Sequence, residues 1–236
     1  MSMKLSVILP TYNEKENIEE LIRQIYHYAA DDIHEVIVVD DNSPDGTWEI
    51  VQNLQKEFKT LKLIRRIGEK GLPGAIWAGI RKAEGDYVLW MDCDLSHPPE
   101  VIPRLLEQIP GYDIVCASRY VKGSSDRRNF KRVAASKAFS IISTILLGTK
   151  VRDMTSGFYV VKKEVFDKVK LMTTGYAEYC IRFICEAQRK GFKIKEVGYV
   201  FVNRRKGSSK TESGTGQFIK NGFLCMKEIL KLAVRK

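Results

Sequence analysis

Residues 34–46, HEVIVVDDNSPDG, decide how this chain reads. A Val/Ile-rich run ends on two carboxylates, Asp40 and Asp41, and passes into turn residues that can also cap a helix starting near 47. The same succession recurs on either side. Strand candidates lie at 4–9, 34–40, 61–66, 86–92 and 112–118, with segments of helical period between them at 15–29, 47–58, 72–83 and 98–108. This alternation predicts an α/β fold with a mainly parallel sheet flanked by helices on both faces. In such sheets ligands sit outside the carboxyl ends of the strands. That singles out three polar segments: PTYNE (10–14), DDNSPDG (40–46) and DCDLSHPPE (92–100).

After residue 120 the pattern changes. A basic polar loop, YVKGSSDRRNFKR (120–132), leads into an apolar helix-like stretch (133–147), then DMTSGFYVV (153–161) and a helix near 177–190. A strand pair is expected near 193–203, followed by the basic Gly/Ser segment RRKGSSKTESGTG (204–216) and an amphipathic helix over 217–234. No internal repeat or low-complexity linker interrupts the chain. One domain, 1–236, is therefore expected, with a first half (1–120), a second half (121–215) and a C-terminal amphipathic helix (216–236).

The totals narrow the class. With 44% hydrophobic residues in 236, the chain can bury a sizeable core. The 39 Lys and Arg against 29 Asp and Glu favour polyanionic partners: nucleic acid, phosphorylated ligands or an anionic membrane. Nucleic acid is disfavoured, because the cations are not interleaved with aromatic stacking positions and acidic loops occupy the presumptive binding edge. Five cysteines, odd in number and without Cys-x-x-Cys spacing, argue for a reducing compartment over a disulfide framework or structural zinc. The N-terminal apolar run is too short for a signal peptide. The longest apolar segment, AFSIISTILLG (138–148), is about half of the roughly 20 residues a span needs.

Asp92 and Asp94 stand one residue apart, so on a regular strand they would point to opposite faces; they converge only if the strand ends and the chain turns. Pro98 and Pro99 show that the strand stops there. An Asp-x-Asp at such a turn offers hard oxygen ligands for Mg or Mn, leaving the other positions to substrate phosphates. The same residues could instead form an Asx turn and helix cap. His97 is either a third ligand or a turn residue. Asp40 and Asp41 could hydrogen-bond a base or ribose, or simply build the turn.

Taken in order, SVILPTYNEKENI, VIVVDDNSPDGT, AEGDYVLWMDCDLSHPPEVIP, DIVCASRYVKG, DMTSGFYVVKKEV and RRKGSSK resemble the family 2 inverting glycosyltransferases of the GT-A fold. Over about residues 4–212 the chain is similar, more narrowly, to their polyprenol-phosphate branch, typified by dolichyl-phosphate mannose synthase. The resemblance implies a GT-A (Rossmann-like) domain and transfer of mannose from GDP-mannose to dolichyl or another polyprenyl phosphate. A UDP-glucose-dependent enzyme of the same branch, or another family 2 transferase, is the alternative; a catalytically silent regulatory subunit is a further one.

By that resemblance Pro10, Tyr12, Glu14 and Asp41 line the nucleotide pocket, and Asp92 and Asp94 hold Mg or Mn on the diphosphate. Ser96 stands where the family often has Gln as a further ligand. Arg119, Arg132 and Ser136 receive the acceptor phosphate, which suits guanidinium chemistry. Arg204 and Lys210 belong to a segment that closes over the diphosphate, and Asp94, Arg119, Arg204 and Lys210 form the catalytic set. Glu178 in GYAEYCIRF (175–183) is displaced from a Glu common in the family and receives no role. The resemblance also implies a peripheral enzyme on the cytoplasmic side of a membrane, the endoplasmic reticulum in a eukaryote or the plasma membrane in a prokaryote. Some relatives continue into transmembrane helices, so this chain is expected to be tethered by small membrane-spanning subunits or to be part of a longer one. Both the 133–147 helix and the C-terminal helix have two readings, an interfacial helix or one packed on the core.

Overall fold

In the computed structural model, which describes residues 3–202 and 215–234, the Val/Ile run around residue 36 is the second strand of a seven-stranded sheet. The first half of the chain follows the expected alternation: β1 (Leu5–Thr11), α1 (Ile18–Ala29), β2 (Ile33–Asp40), α2 (Thr47–Leu54), β3 (Leu61–Arg65), α3 (Leu72–Lys82) and β4 (Tyr87–Trp90). β1 lies between β2 and β4, parallel to both, so Val7 is level with Val36 on one side and Leu89 on the other. All seven β1 residues are buried, as expected for a parallel strand covered on two faces. Alternate side chains feed two cores. Val7, Leu9, Val36 and Val38 pack toward α1 and α2, whereas Ile8, Ile37 and Val39 face α3.

The expected helix over 98–108 is shorter and broken. Three prolines, at 98, 99 and 103, favour a single 3-10 turn, Pro99–Val101, followed by α4 (Ile102–Leu106). β5 (Ile114–Ser118) then joins the sheet, but not beside β4. The strand β7 (Tyr159–Lys162), from a segment whose periodicity assigns it no element, inserts between them antiparallel to both. Its Tyr159 packs on Trp90 with ring centroids 4.9 Å apart, and Phe183 closes the cluster at 5.6 Å from Trp90.

The expected strand pair near 193–203 is not a pair. β8 (Ile194–Gly198) extends the main sheet parallel to β5, whereas β9 (Val200–Phe201) pairs with β6 (Ser125–Asp126) in a separate small sheet. Gly198 lets the chain leave one sheet for the other: a Cβ there would collide with the backbone of Lys122 and Gly123. Tyr199 then bridges the two sheets, donating its amide to Ser118 O and accepting from Ser125 N.

The remaining elements are α5 (Phe130–Leu147), α6 (Val165–Lys168), α7 (Glu178–Arg189) and α8 (Thr215–Val234). α5 contacts the body through Ser140, Ser143 and Leu147 and turns Ile141, Ile142 and Ile145 outward, with Ile145 72% exposed. Its small hydroxyl residues face inward because Ser140 and Thr144 bond the backbone of Arg152 and Val151. α8 packs on α7 and α5 through Cys225, Ile229 and Leu232, while Phe223, Leu230 and Val234 remain exposed. Among the described residues no helix is long and apolar enough to cross a membrane.

Candidate functional site

The carboxyl ends of β1, β2 and β4 release three loops, and each contains one non-glycine residue with positive φ: Asn13 (55°), Asn42 (55°) and Leu95 (62°). No other described non-glycine residue has this conformation. Asn tolerates it; for Leu it is strained, at a cost of order 1–3 kcal/mol. Leu95 is held by burial of its side chain in the core under the loop.

These loops surround a cavity of about 320 Å³ lined by Pro10, Tyr12, Glu14, Asp41, Asp92 and Asp94 together, with Lys70, Gly71, Cys93 and Tyr176 among its other wall residues. The acidic pair after β2 divides its duties. Asp40 is fully buried and accepts from Thr11 Oγ1 (2.8 Å), Ser43 Oγ (2.6 Å) and Ser43 N (2.7 Å), so it builds the turn. Asp41 lines the cavity, and both its oxygens are engaged: Oδ1 by Arg66 Nε at 2.7 Å, Oδ2 by Gly71 N at 2.7 Å. It thereby fixes the segment that enters α3 and carries Lys70, whose Nζ lies 4.8 Å from the Tyr12 ring centre. Neither Arg66 nor Lys70 stands out by motif, because both lie in a loop after β3 without distinctive spacing.

After β4 the chain turns between Asp92 and Asp94, as their convergence requires. Ser96 donates to Asp94 Oδ1 from its hydroxyl (2.6 Å) and its amide (3.0 Å), so Ser96 orients the carboxylate. His97 is fully buried against Phe158, and its Nδ1 accepts from Asp92 N at 3.0 Å. Burial pushes its imidazole down to about 4, and Arg119 adds to this against the opposing pull of Asp94 and Asp153. The neutral ring pins the turn, which is the turn-residue reading of His97. Two adjoining carboxylates in a cavity fit a hard divalent cation that takes its other ligands from phosphate and water, the donor set suited to Mg or Mn. A second cluster, His34, Glu35 and Glu84, lies at the opposite end of the strands, where Lys62 Nζ already sits 2.7 Å from Glu35 and 3.1 Å from Glu84.

A second cavity of about 330 Å³ lies between α5 and α8, lined by Arg119, Arg128, Arg132, Ser136, Phe139 and Thr155 with Asn221, Gly222 and Cys225. Burial pushes the Arg119 guanidinium down, but Asp153 more than offsets this and keeps it charged. Arg128 forms a fork with Asp126 (2.9 and 2.6 Å), and the Phe201 ring lies 5.6 Å from Arg119 and 4.9 Å from Arg128. Tyr120 donates to Ser136 Oγ at 2.7 Å. Arg119, Arg132 and Ser136 are thus brought together as expected. Arg204 and Lys210 fall outside the described residues. Tyr176 lines both cavities. Asp153, Arg128 and Tyr176 escape sequence reasoning, although each lies in a quoted segment, because only the fold brings them to this wall.

A model of glycosyl transferase family 2 matches residues 6–170, and the chain belongs to that family. It is 42% identical to a dolichol-phosphate mannosyltransferase of Pyrococcus furiosus, over 95% of this chain and 64% of that protein, so it spans about two thirds of that relative's length. It is 35% identical to a polyprenol monophosphomannose synthase of Mycolicibacterium smegmatis, over 86% of this chain and 79% of that one. Among solved structures, glucosyl-3-phosphoglycerate synthase from Mycobacterium tuberculosis in complex with Mn2+, UDP and phosphoglyceric acid superposes with TM-score 0.74 at 19% identity, covering 98% of this chain and 78% of that one. The same enzyme with Mg2+ and UDP gives 0.73 at 19% identity over 98% and 79%. These likenesses bear out the expected GT-A fold.

Proposed function

We propose that this protein transfers mannose from GDP-mannose to dolichyl or another polyprenyl phosphate, with inversion at the anomeric carbon, at a membrane surface. One observation carries the reading: a carboxylate-lined cavity and an arginine-lined cavity of similar volume share Tyr176 as a common wall. The names of the two relatives favour a mannosyl donor and a polyprenyl phosphate acceptor.

In this reading residues 1–120 form the donor half and 121–215 the acceptor half. Pro10, Tyr12, Glu14 and Asp41 line the nucleotide site, and Asp92 and Asp94 hold Mg or Mn. A divalent ion held there would supply positive charge to offset that of a diphosphate leaving group. Arg119, Arg132 and Ser136 take the acceptor phosphate, and Arg128 adds a third guanidinium. A phosphate monoester is largely dianionic near neutral pH, its second pKa being about 6, so attack requires no strong general base. The residues contribute mainly position and charge. Arg204 and Lys210, outside the described residues, are the remaining members of the proposed catalytic set.

The acceptor cavity opens between α5 and α8, whose outward residues Ile141, Ile145, Phe223 and Leu230 are exposed. Lys131 and Lys137 of α5 are exposed. This arrangement suits an interfacial helix pair that lets the lipid tail remain in the bilayer while its phosphate reaches the arginines. The cytoplasmic face of the endoplasmic reticulum or plasma membrane is the matching location, with small membrane-spanning subunits as candidate tethers. Titration calorimetry of GDP and UDP with and without Mn2+ tests the donor half: metal-dependent, GDP-preferring binding is expected, and a preference for UDP transfers the reading to a glucosyl donor.

A further inference from the structure

The short segment that separates the two cavities is built with more constraint than a passive wall needs. Gly175 has φ of 89°, and a Cβ there would lie 3.1 Å from Met172 Cε and 3.2 Å from Glu178 Cδ. The next amide, Tyr176 N, donates to Glu178 Oε2 at 2.7 Å. Glu178 is buried and is the first residue of α7, whose Tyr179, Cys180, Ile181 and Phe183 are packed in the core. Arg182 further ties α7 to α8, donating to Glu228 at 2.7 Å. A left-handed glycine and a buried carboxylate thus fix one residue against a rigid helix.

That residue is Tyr176, which lines the carboxylate cavity and the arginine cavity alike. Given the donor and acceptor assignment proposed above, on which this reading rests, the sugar must meet the acceptor phosphate where the cavities adjoin. A bond forms between the anomeric carbon and a phosphate oxygen, while the carbon–oxygen bond to the diphosphate breaks and its electron pair leaves with the nucleoside diphosphate. No proton moves. Water in the same place would also displace the diphosphate, releasing a proton and free sugar.

The geometry points to Tyr176 as the positioning residue of this passage: its ring flanks the sugar as it crosses and keeps water from the anomeric carbon, and Glu178 holds it in place. Excluding water from the anomeric carbon suppresses hydrolysis of a reactive donor. Tyr176 is 37% exposed, so shortening it opens no core cavity.

The test uses the full chain with labelled nucleotide sugar and a polyprenyl phosphate in detergent, counting labelled lipid and labelled free sugar from the same reaction. Tyr176→Ala is expected to raise the ratio of free sugar to lipid on the order of tenfold, whereas Tyr176→Phe keeps the ratio near that of the wild type. Glu178→Ala is expected to raise it less than Tyr176→Ala. A purely structural role would lower both products together and leave the ratio alone. An unchanged ratio in Tyr176→Ala, with a wild type that transfers sugar to lipid, overturns the assignment of Tyr176 while the donor and acceptor reading stands. A wild type that labels no lipid from either GDP-mannose or UDP-glucose overturns that reading, and the role of Tyr176 falls with it. Should Tyr176→Ala fail to fold, Tyr176→Leu keeps the bulk without the ring and is read in the same way.

Discussion

Asp153 holds Arg119 from three directions. The guanidinium donates from Nε to Oδ2 at 2.8 Å and from Nη2 to Oδ1 at 2.6 Å, and the Arg119 amide donates to Oδ2 at 2.9 Å. Asp153 is fully buried and Arg119 nearly so. A buried pair gains little net stability over an apolar one, but removing one partner strands the other charge. Asp153→Ala should therefore destabilise the fold by about 3–5 kcal/mol in equilibrium urea unfolding. A loss below about 1 kcal/mol, as at an exposed pair, would show that Arg119 finds another partner.

Ser96 offers a finer probe. Its two hydrogen bonds aim the Asp94 carboxylate from outside the cavity. Partners that orient metal ligands in this way typically contribute 10- to 100-fold in affinity, roughly, when removed. Ser96→Ala removes the hydroxyl bond and keeps the amide one, so it is expected to weaken Mn2+ binding in the presence of nucleoside diphosphate by about tenfold, the lower end of that range. Unchanged binding by calorimetry would mean that Asp94 keeps its orientation without Ser96.

One contribution to acid stability lies at the other end of the sheet. Glu35 accepts from Ser6 Oγ (2.6 Å) and Glu84 N (2.6 Å) beside Lys62. Burial pushes its carboxyl up, but Lys62, Ser6 and the Glu84 amide more than offset this, leaving its pKa below the ordinary value. A depressed carboxylate stabilises the fold above its unfolded pKa of about 4.3 and loses that contribution as pH falls through the folded value. The urea midpoint should therefore decline as the solution is acidified below about pH 5, and Glu35→Gln should flatten that decline. Parallel curves for the two proteins would place the acid sensitivity elsewhere.

The outward face of α5 should control membrane contact. Replacing Ile141 and Ile145 by Ser removes apolar surface that the fold leaves exposed. Transfer energies of about 25 cal/mol per Å² make the loss of two isoleucines that would insert into the bilayer large enough to abolish weak vesicle binding, while thermal stability should barely move. Flotation with liposomes containing anionic lipid reads the first and calorimetric unfolding the second; retained flotation would assign docking to another face.

Much of this was legible in the residues because parallel strands buried on both faces leave unbroken Val/Ile runs, and strand-end turns leave Asp, Asn and Gly. The 34–40 run is β2 with its end at Asp40, one residue from the cavity-lining Asp41. β7 was not legible: it is four residues long, and its partners Trp90 and Cys116 are far away in sequence. The tie from Asp41 to Arg66 and the placing of Tyr176 depend likewise on long-range packing that no local period encodes. The inward side of α5 could not be read because Ser140 and Ser143 bury hydroxyls against backbone, inverting the usual apolar-in pattern.

As proposed, sugar held in the carboxylate cavity passes to a phosphate in the arginine cavity. Labelled GDP-mannose and UDP-glucose, supplied in parallel to the full chain with a polyprenyl phosphate in detergent and Mn2+, test it most directly. Label from GDP-mannose in the organic-extractable product, dependent on metal and lost in Asp94→Ala, is the expected result. Equal labelling by Asp94→Ala, or labelling that ignores the metal, would contradict it.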